Sequence, residues 1–89
     1  MNLYLLYTES KNLSALHKFV GEHFPGYHLT ANGTGAWKGQ LEQSVILHIV
    51  APNDAVTQAK VRFIAEGIRH INDQESVMVL TLPAEVDFI

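Results

Sequence analysis

Ser44-Val45-Ile46-Leu47-His48-Ile49-Val50 is the stretch that decides the fold of this chain. It reads as the return strand of a long β-hairpin running from Phe24 to Val50. Val45, Leu47 and Ile49 point to one face of such a strand, and Ile46, His48 and Val50 to the other. A hairpin of a small monomer normally shows one wet face and one dry face. This strand is dry on both faces, so both need cover.

The segments around the hairpin supply cover for one face. Leu3 to Tyr7 reads as a first strand. Ser10 is placed to cap a first helix, in which Leu13, Leu16, Phe19 and Val20 form one stripe before Pro25-Gly26 stops it. Tyr27 to Trp37 is the second strand, with Gly33 and Gly35 predicting a bulge or close backbone approach. Lys38-Gly39-Gln40 makes the turn, and Glu42 to Ala51 is the third strand. Asn53 or Asp54 caps a second helix with an expected buried stripe of Val56, Ala59, Phe63, Ile64, Gly67 and Ile71. Arg62 and Glu66 are expected to pair on its wet side. Asn72-Asp73 ends that helix, Ser76 to Leu82 is the fourth strand, Pro83 terminates it, and Val86 to Ile89 is a candidate edge strand.

The order β-α-β-β-α-β predicts an α+β, ferredoxin-like domain over residues 1–89: a four-stranded antiparallel sheet with two helices on one face. A chain of 89 residues makes one domain. At this size roughly 60–65% of the unfolded surface is buried, so association would help it. Alternate residues of the first, third and fourth strands leave the second face apolar whichever set meets the helices. A sheet-mediated homo-oligomer, most simply a two-fold dimer, is the expected cover.

Composition excludes several function classes. There is no cysteine, so there is no disulfide, thiolate site or cysteine nucleophile. With six basic residues and a net charge of −3, a basic nucleic-acid surface is not expected. No apolar run approaches membrane-spanning length, and the apolar N-terminus lacks the flanks of a signal peptide, so a cytoplasmic location is expected. The five histidines (His17, His23, His28, His48 and His70) show no metal-ligand spacing. His28 and His48 could meet across the hairpin. No metal site and no cofactor are expected.

Candidate ligand-binding residues cluster around the hairpin. Trp37, the single tryptophan, is expected to pack in the core or at a sheet edge, or else to serve as a stacking platform or an interface anchor. Thr34 lies between two glycines whose backbone amides could approach an anion, with Lys38, Arg62 or Arg69 supplying charge. Glu42, Ser44 and His48 share one strand face, with Lys38 or a residue on strand two as the expected cross-strand partner of Glu42. A Ser44/His48/Glu42 triad is excluded by distance, because Ser44 and His48 stand about 13 Å apart along one strand.

Phe24-Pro25, Gly35-Ala36-Trp37, Glu42-Gln43-Ser44 and Gln74-Glu75-Ser76-Val77 together resemble a bacterial domain family of unknown function. Its members carry F-P-x-G-x-T, G-x-W, E-x-S and Q-E-x-V stretches at similar intervals, here over about residues 3–88. Tyr27 stands where that family usually has glycine. The resemblance implies the ferredoxin-like fold, picks out Trp37, Glu42, Ser44 and Glu75, and brings no established activity. The chain looks like the short cytosolic versions associated with phages and mobile elements.

Three functions remain open on these grounds. The first is a non-enzymatic oligomer holding a small anionic, nucleotide-like ligand at a subunit interface; in a phage it would sequester a host signalling nucleotide. The second is a protein–protein inhibitor or regulatory module acting through the sheet face or edge. The third is a small hydrolase or isomerase using Glu42 or a histidine, although no catalytic set is legible.

Overall fold

A computed structural model describes residues 1–89. It comprises β1 (Asn2–Glu9), α1 (Leu13–His23), β2 (His28–Trp37), β3 (Gln40–Ala51), α2 (Ala55–Asn72) and β4 (Met78–Pro83). The strands form one antiparallel sheet in the order β2-β3-β1-β4, the expected ferredoxin-like arrangement. No helix is long and apolar enough to cross a membrane.

Register decides which residues meet the helices. Tyr4 lies opposite Ile49, Leu6 opposite Leu47 and Thr8 opposite Val45. All six are buried, and Tyr4, Leu6, Leu47 and Ile49 pack with Leu16 and Val20 of α1 and Val61, Ile64 and Ile68 of α2. Each fully buried aliphatic side chain in this layer contributes roughly 1.5–3 kcal/mol. The other face carries Leu3, Leu5 and Tyr7 of β1, Ile46, His48 and Val50 of β3, and Met78, Leu80 and Leu82 of β4. No element covers it, and Met78, Val50, Leu80 and Leu82 are exposed. The double-faced apolar pattern of β3 is therefore a property of the sheet.

Several local expectations change. Asn12, not Ser10, precedes α1, in a left-handed conformation and without a side-chain cap. Its Nδ2 instead donates to the Ile71 carbonyl at 3.0 Å, joining the start of α1 to the end of α2. Asp54 caps α2, accepting from the Thr57 N–H at 2.7 Å. The buried stripe of α2 is Val61, Ile64, Ile68 and Asn72. Val56, Ala59 and Phe63 are exposed, because the helix is rotated to lay Ile64 and Ile68 on the sheet. Glu66 pairs with Arg69 at 3.0 Å and not with Arg62. β4 starts at Met78 and includes Pro83, which an edge strand tolerates, and residues 84–89 form no strand.

Two backbone features shape the hairpin. Lys38 (φ 50°) and Gly39 (φ 78°) are both left-handed, which gives the two-residue turn matched to strand twist. Between Thr30 and Gly33 the register slips, with Asn32 at φ 64°, so β2 carries the expected bulge. A Cβ at Gly33 would stand 2.9 Å from Ser44 Oγ and 3.1 Å from the Ser44 carbonyl oxygen, so the strands close there only over glycine.

Gly67 sets the approach of the helices, since an added Cβ would overlap the Phe19 ring. That ring is also held against Phe63 and His23. Gly67→Ala gains about 1 kcal/mol of helix propensity but overpacks this contact, at about 1–3 kcal/mol. The expected net result is a lower urea midpoint with an unchanged m-value.

Candidate functional site

The open face of the sheet ends in a cavity of about 300 Å³. Its floor is the end of β1 and the start of β3, where Tyr7, Glu9, Glu42 and Ser44 project to the same side. One wall is Gly35, Ala36 and Trp37 at the hairpin tip, and the other is Gln74, Glu75 and Ser76 before β4. Met78 closes the β4 side.

A clasp joins the two walls. Glu75 accepts hydrogen bonds from Trp37 Nε1 at 3.2 Å and Lys38 Nζ at 2.7 Å. The Lys38 ammonium beside Glu75, aided by the Trp37 N–H, holds the Glu75 carboxyl below the usual carboxylate range. The second wall is anchored from inside. Buried Asn72 donates to Thr8 Oγ1, the Glu9 carbonyl and Gln74 Oε1. Gln74 Oε1 also accepts from Thr8 Oγ1 at 2.5 Å and from the Glu9 N–H at 3.3 Å. Gln74 Nε2 donates to the Ser76 carbonyl at 2.6 Å. These bonds tie the end of α2, the end of β1 and the approach to β4 into one support.

The floor is acidic. Glu9 stands opposite Ser44, so its carboxyl meets that of Glu42 one step along the same face. Partial burial pushes the Glu42 carboxyl up, and the adjoining Glu9 carboxylate, hydrogen-bonded to it, raises it further. Lys11 forms an ion pair with Glu9 Oε2 at 2.9 Å, yet that buried oxygen has no aligned hydrogen-bond donor. No lysine or arginine lines the cavity.

Trp37, Glu42, Ser44 and Glu75 all line this cavity, and Lys38 lies just outside as the partner of Glu75, not of Glu42. Thr34 pairs with Gln43 on the opposite side of the hairpin and is exposed away from the cavity. His48 faces His28 across the hairpin, with ring centroids 5.7 Å apart, in the middle of the open face. Burial lowers the His48 pKa, and His28 lowers it further. Arg69 is held by Glu66, and Arg62 lines a separate groove between α2 and β4. Neither supplies positive charge here. Tyr7, Glu9 and Met78 were not singled out in the sequence, and Gln74 stood out only as the first residue of the Gln74-Glu75-Ser76-Val77 stretch. Antiparallel pairing of central β1 with β3 is the signal that would have found Glu9.

The two carboxyl interactions have opposite pH signatures. The Glu42 pKa is raised in the fold, so the fold is favoured below the unfolded carboxyl pKa and loses stability as pH rises through the folded value. Glu42→Gln is expected to raise Tm at pH 7.5, with the gain vanishing near pH 4. The Glu75 pKa is lowered, so the clasp contributes above about pH 4.5 and is lost as pH falls through the folded value. Glu75→Ala is expected to shift Trp37 emission to the red by freeing the hairpin tip. Global Tm should change little, since exposed pairs contribute about 0–1 kcal/mol.

No protein-family model matches this chain, and no curated protein sequence matches it. Among solved structures, it is similar to CPII, a nitrogen regulatory PII-like protein from Thiomonas intermedia K12 bound to ADP, AMP and bicarbonate. The TM-score is 0.69 at 13% identity, covering 99% of this chain and 93% of that one. A second, 2.3 Å structure of the same protein with the same ligands gives a TM-score of 0.56 at 16% identity, covering 91% and 88%. At these identities the likeness establishes a shared fold, in which residues 1–89 correspond to nearly a whole PII-like chain.

Proposed function

We propose that this protein is a non-enzymatic, oligomeric binding protein that holds a nucleotide-like ligand in the cavity at an interface between copies. The observation that carries the reading is the continuity of the apolar open face with the cavity. Tyr7 and Met78 belong to both, so a second copy seated on the face would also border the cavity. The ligands of the PII-like neighbour support the nucleotide class. Trp37 supplies an aromatic surface of the kind that holds a base.

Binding is favoured over turnover because no nucleophile is paired with a base in the cavity. Ser44 has no histidine beside it, as His48 lies elsewhere on the face. A binder of this kind acts by sequestering its nucleotide or by relaying the nucleotide's level to a partner, and a phage-borne copy would use the first route.

Native mass spectrometry of the full chain should show a multimer, and AMP or ADP should raise Tm in proportion to the logarithm of its concentration. A monomer with no thermal response to either nucleotide would refute the reading. His48 adds a pH dependence. Its pKa is lowered within the fold by burial and by His28, so the folded chain keeps this stability above the unfolded histidine pKa of about 6.5 and loses it as His48 takes up a proton below it. Tm is expected to fall between pH 7.5 and pH 5.5, followed by thermal melts across that range. His48→Leu should remove much of that dependence.

A further inference from the structure

We infer that the cavity receives the nucleoside end of the ligand, with the base against Trp37 and the ribose hydroxyls donating to the Glu9–Glu42 carboxyl pair, while the phosphate stays outside the rim. This rests on the nucleotide-binding reading above and specifies which end of the ligand enters.

Charge decides the orientation. Glu9, Glu42 and Glu75 line the cavity, and no lysine or arginine does. A phosphate placed on that floor would meet carboxylates at close range in a partly dry site, where like charges repel far more strongly than in water. The cations nearby are already engaged, Lys11 by Glu9 and Lys38 by Glu75. A group that donates hydrogen bonds suits the same floor. Glu42 and Ser44 offer acceptor oxygens toward the cavity, and Glu9 Oε2 has only the Lys11 ion pair at 2.9 Å, with no aligned hydrogen bond. Carboxylates accept from ribose hydroxyls in other nucleotide sites for the same reason.

Size and apolar surface agree. A volume of about 300 Å³ is at the lower end for a small-molecule pocket and suits one nucleoside rather than an extended dinucleotide. Trp37 is 48% exposed, leaving indole surface for a ring, and its N–H is held by Glu75. Lys38, the partner of Glu75, is 6.0 Å from the Trp37 ring centroid, so a phosphate leaving the cavity past the hairpin tip would pass its ammonium.

Trp37 is the only tryptophan, so its fluorescence reports the cavity directly. The full chain would be titrated with adenosine, AMP, 2′,3′-dideoxyadenosine and inorganic phosphate. Adenosine and AMP should quench Trp37 with affinities within about threefold of each other. 2′,3′-Dideoxyadenosine should bind at least about tenfold more weakly, the scale of one lost hydrogen bond to a charged group. Inorganic phosphate should neither quench nor compete. Glu42→Gln should weaken adenosine severalfold while raising Tm, a pairing of signs that a merely structural role would not produce. AMP binding with adenosine at least thirtyfold weaker, or displacement of AMP by phosphate, would overturn the orientation and leave nucleotide binding standing. Equal binding of adenosine and its dideoxy analogue would overturn the role of the carboxyl pair. Failure of both AMP and adenosine to bind would overturn this inference together with the function it rests on.

Discussion

Two helices cover one face of a four-stranded sheet, and the remaining features of this protein follow from that geometric limit. Tyr4, Leu6, Val45, Leu47 and Ile49 are buried because α1 and α2 lie on their side. Leu5, Ile46, Val50, Leu80 and Leu82 are equally apolar but lie on the side that no segment of the chain reaches. Hydrophobic free energy depends on area removed from water, so the second set stabilises the protein only when something else covers it. The charged groups of the sheet stay at its ends, where Glu9 and Glu42 border the cavity.

The cavity depends on a second constraint, the satisfaction of polar groups where α2 ends. A helix leaves its last carbonyls without partners. Here the Asp73 N–H in its left-handed conformation bonds to the Arg69 and His70 carbonyls, and Asn12 takes the Ile71 carbonyl. Asn72 then faces inward and spends its side-chain amide on Thr8, Glu9 and Gln74. A buried amide needs all its partners, so this network sets the position of residues 74–76 and with it the wall that meets Trp37. The outer clasp of Glu75 with Trp37 and Lys38 is exposed and weaker. The cavity therefore combines one wall held by buried hydrogen bonds with one joined to it through exposed contacts.

Electrostatics separate this site from a phosphate cradle. Glycines in a hairpin suggest an anion loop, but Gly33 serves close strand approach at the bulge, and Thr34 beside it points away. Lysine and arginine side chains are either paired with carboxylates or carried on the helical layer. What converges at the end of the open face is aromatic surface and hydrogen-bond acceptors.

Local sequence was enough for the element order, a turn at Lys38-Gly39-Gln40, the bulge near Gly33 and the surplus apolar face of β3, whereas pairing of Trp37 with Gln40 cut the turn to Lys38-Gly39. These follow from strand period, glycine position and chain length, all of which are local. It also marked Trp37, Glu42, Ser44 and Glu75, although nothing local joins Trp37 to Glu75 across 38 positions. Only the tertiary structure decided that meeting, because it needs both the curl of the hairpin and the anchoring of Gln74 by Asn72. The rotation of α2 was also beyond the sequence. Val56-Ala59-Phe63 and Val61-Ile64-Ile68 are both acceptable apolar stripes, and contact with the sheet selects the second. The pairing of Glu9 with Glu42 was hidden for the same reason: strand register, which brings two acids from distant segments onto one face, is set by the assembled sheet.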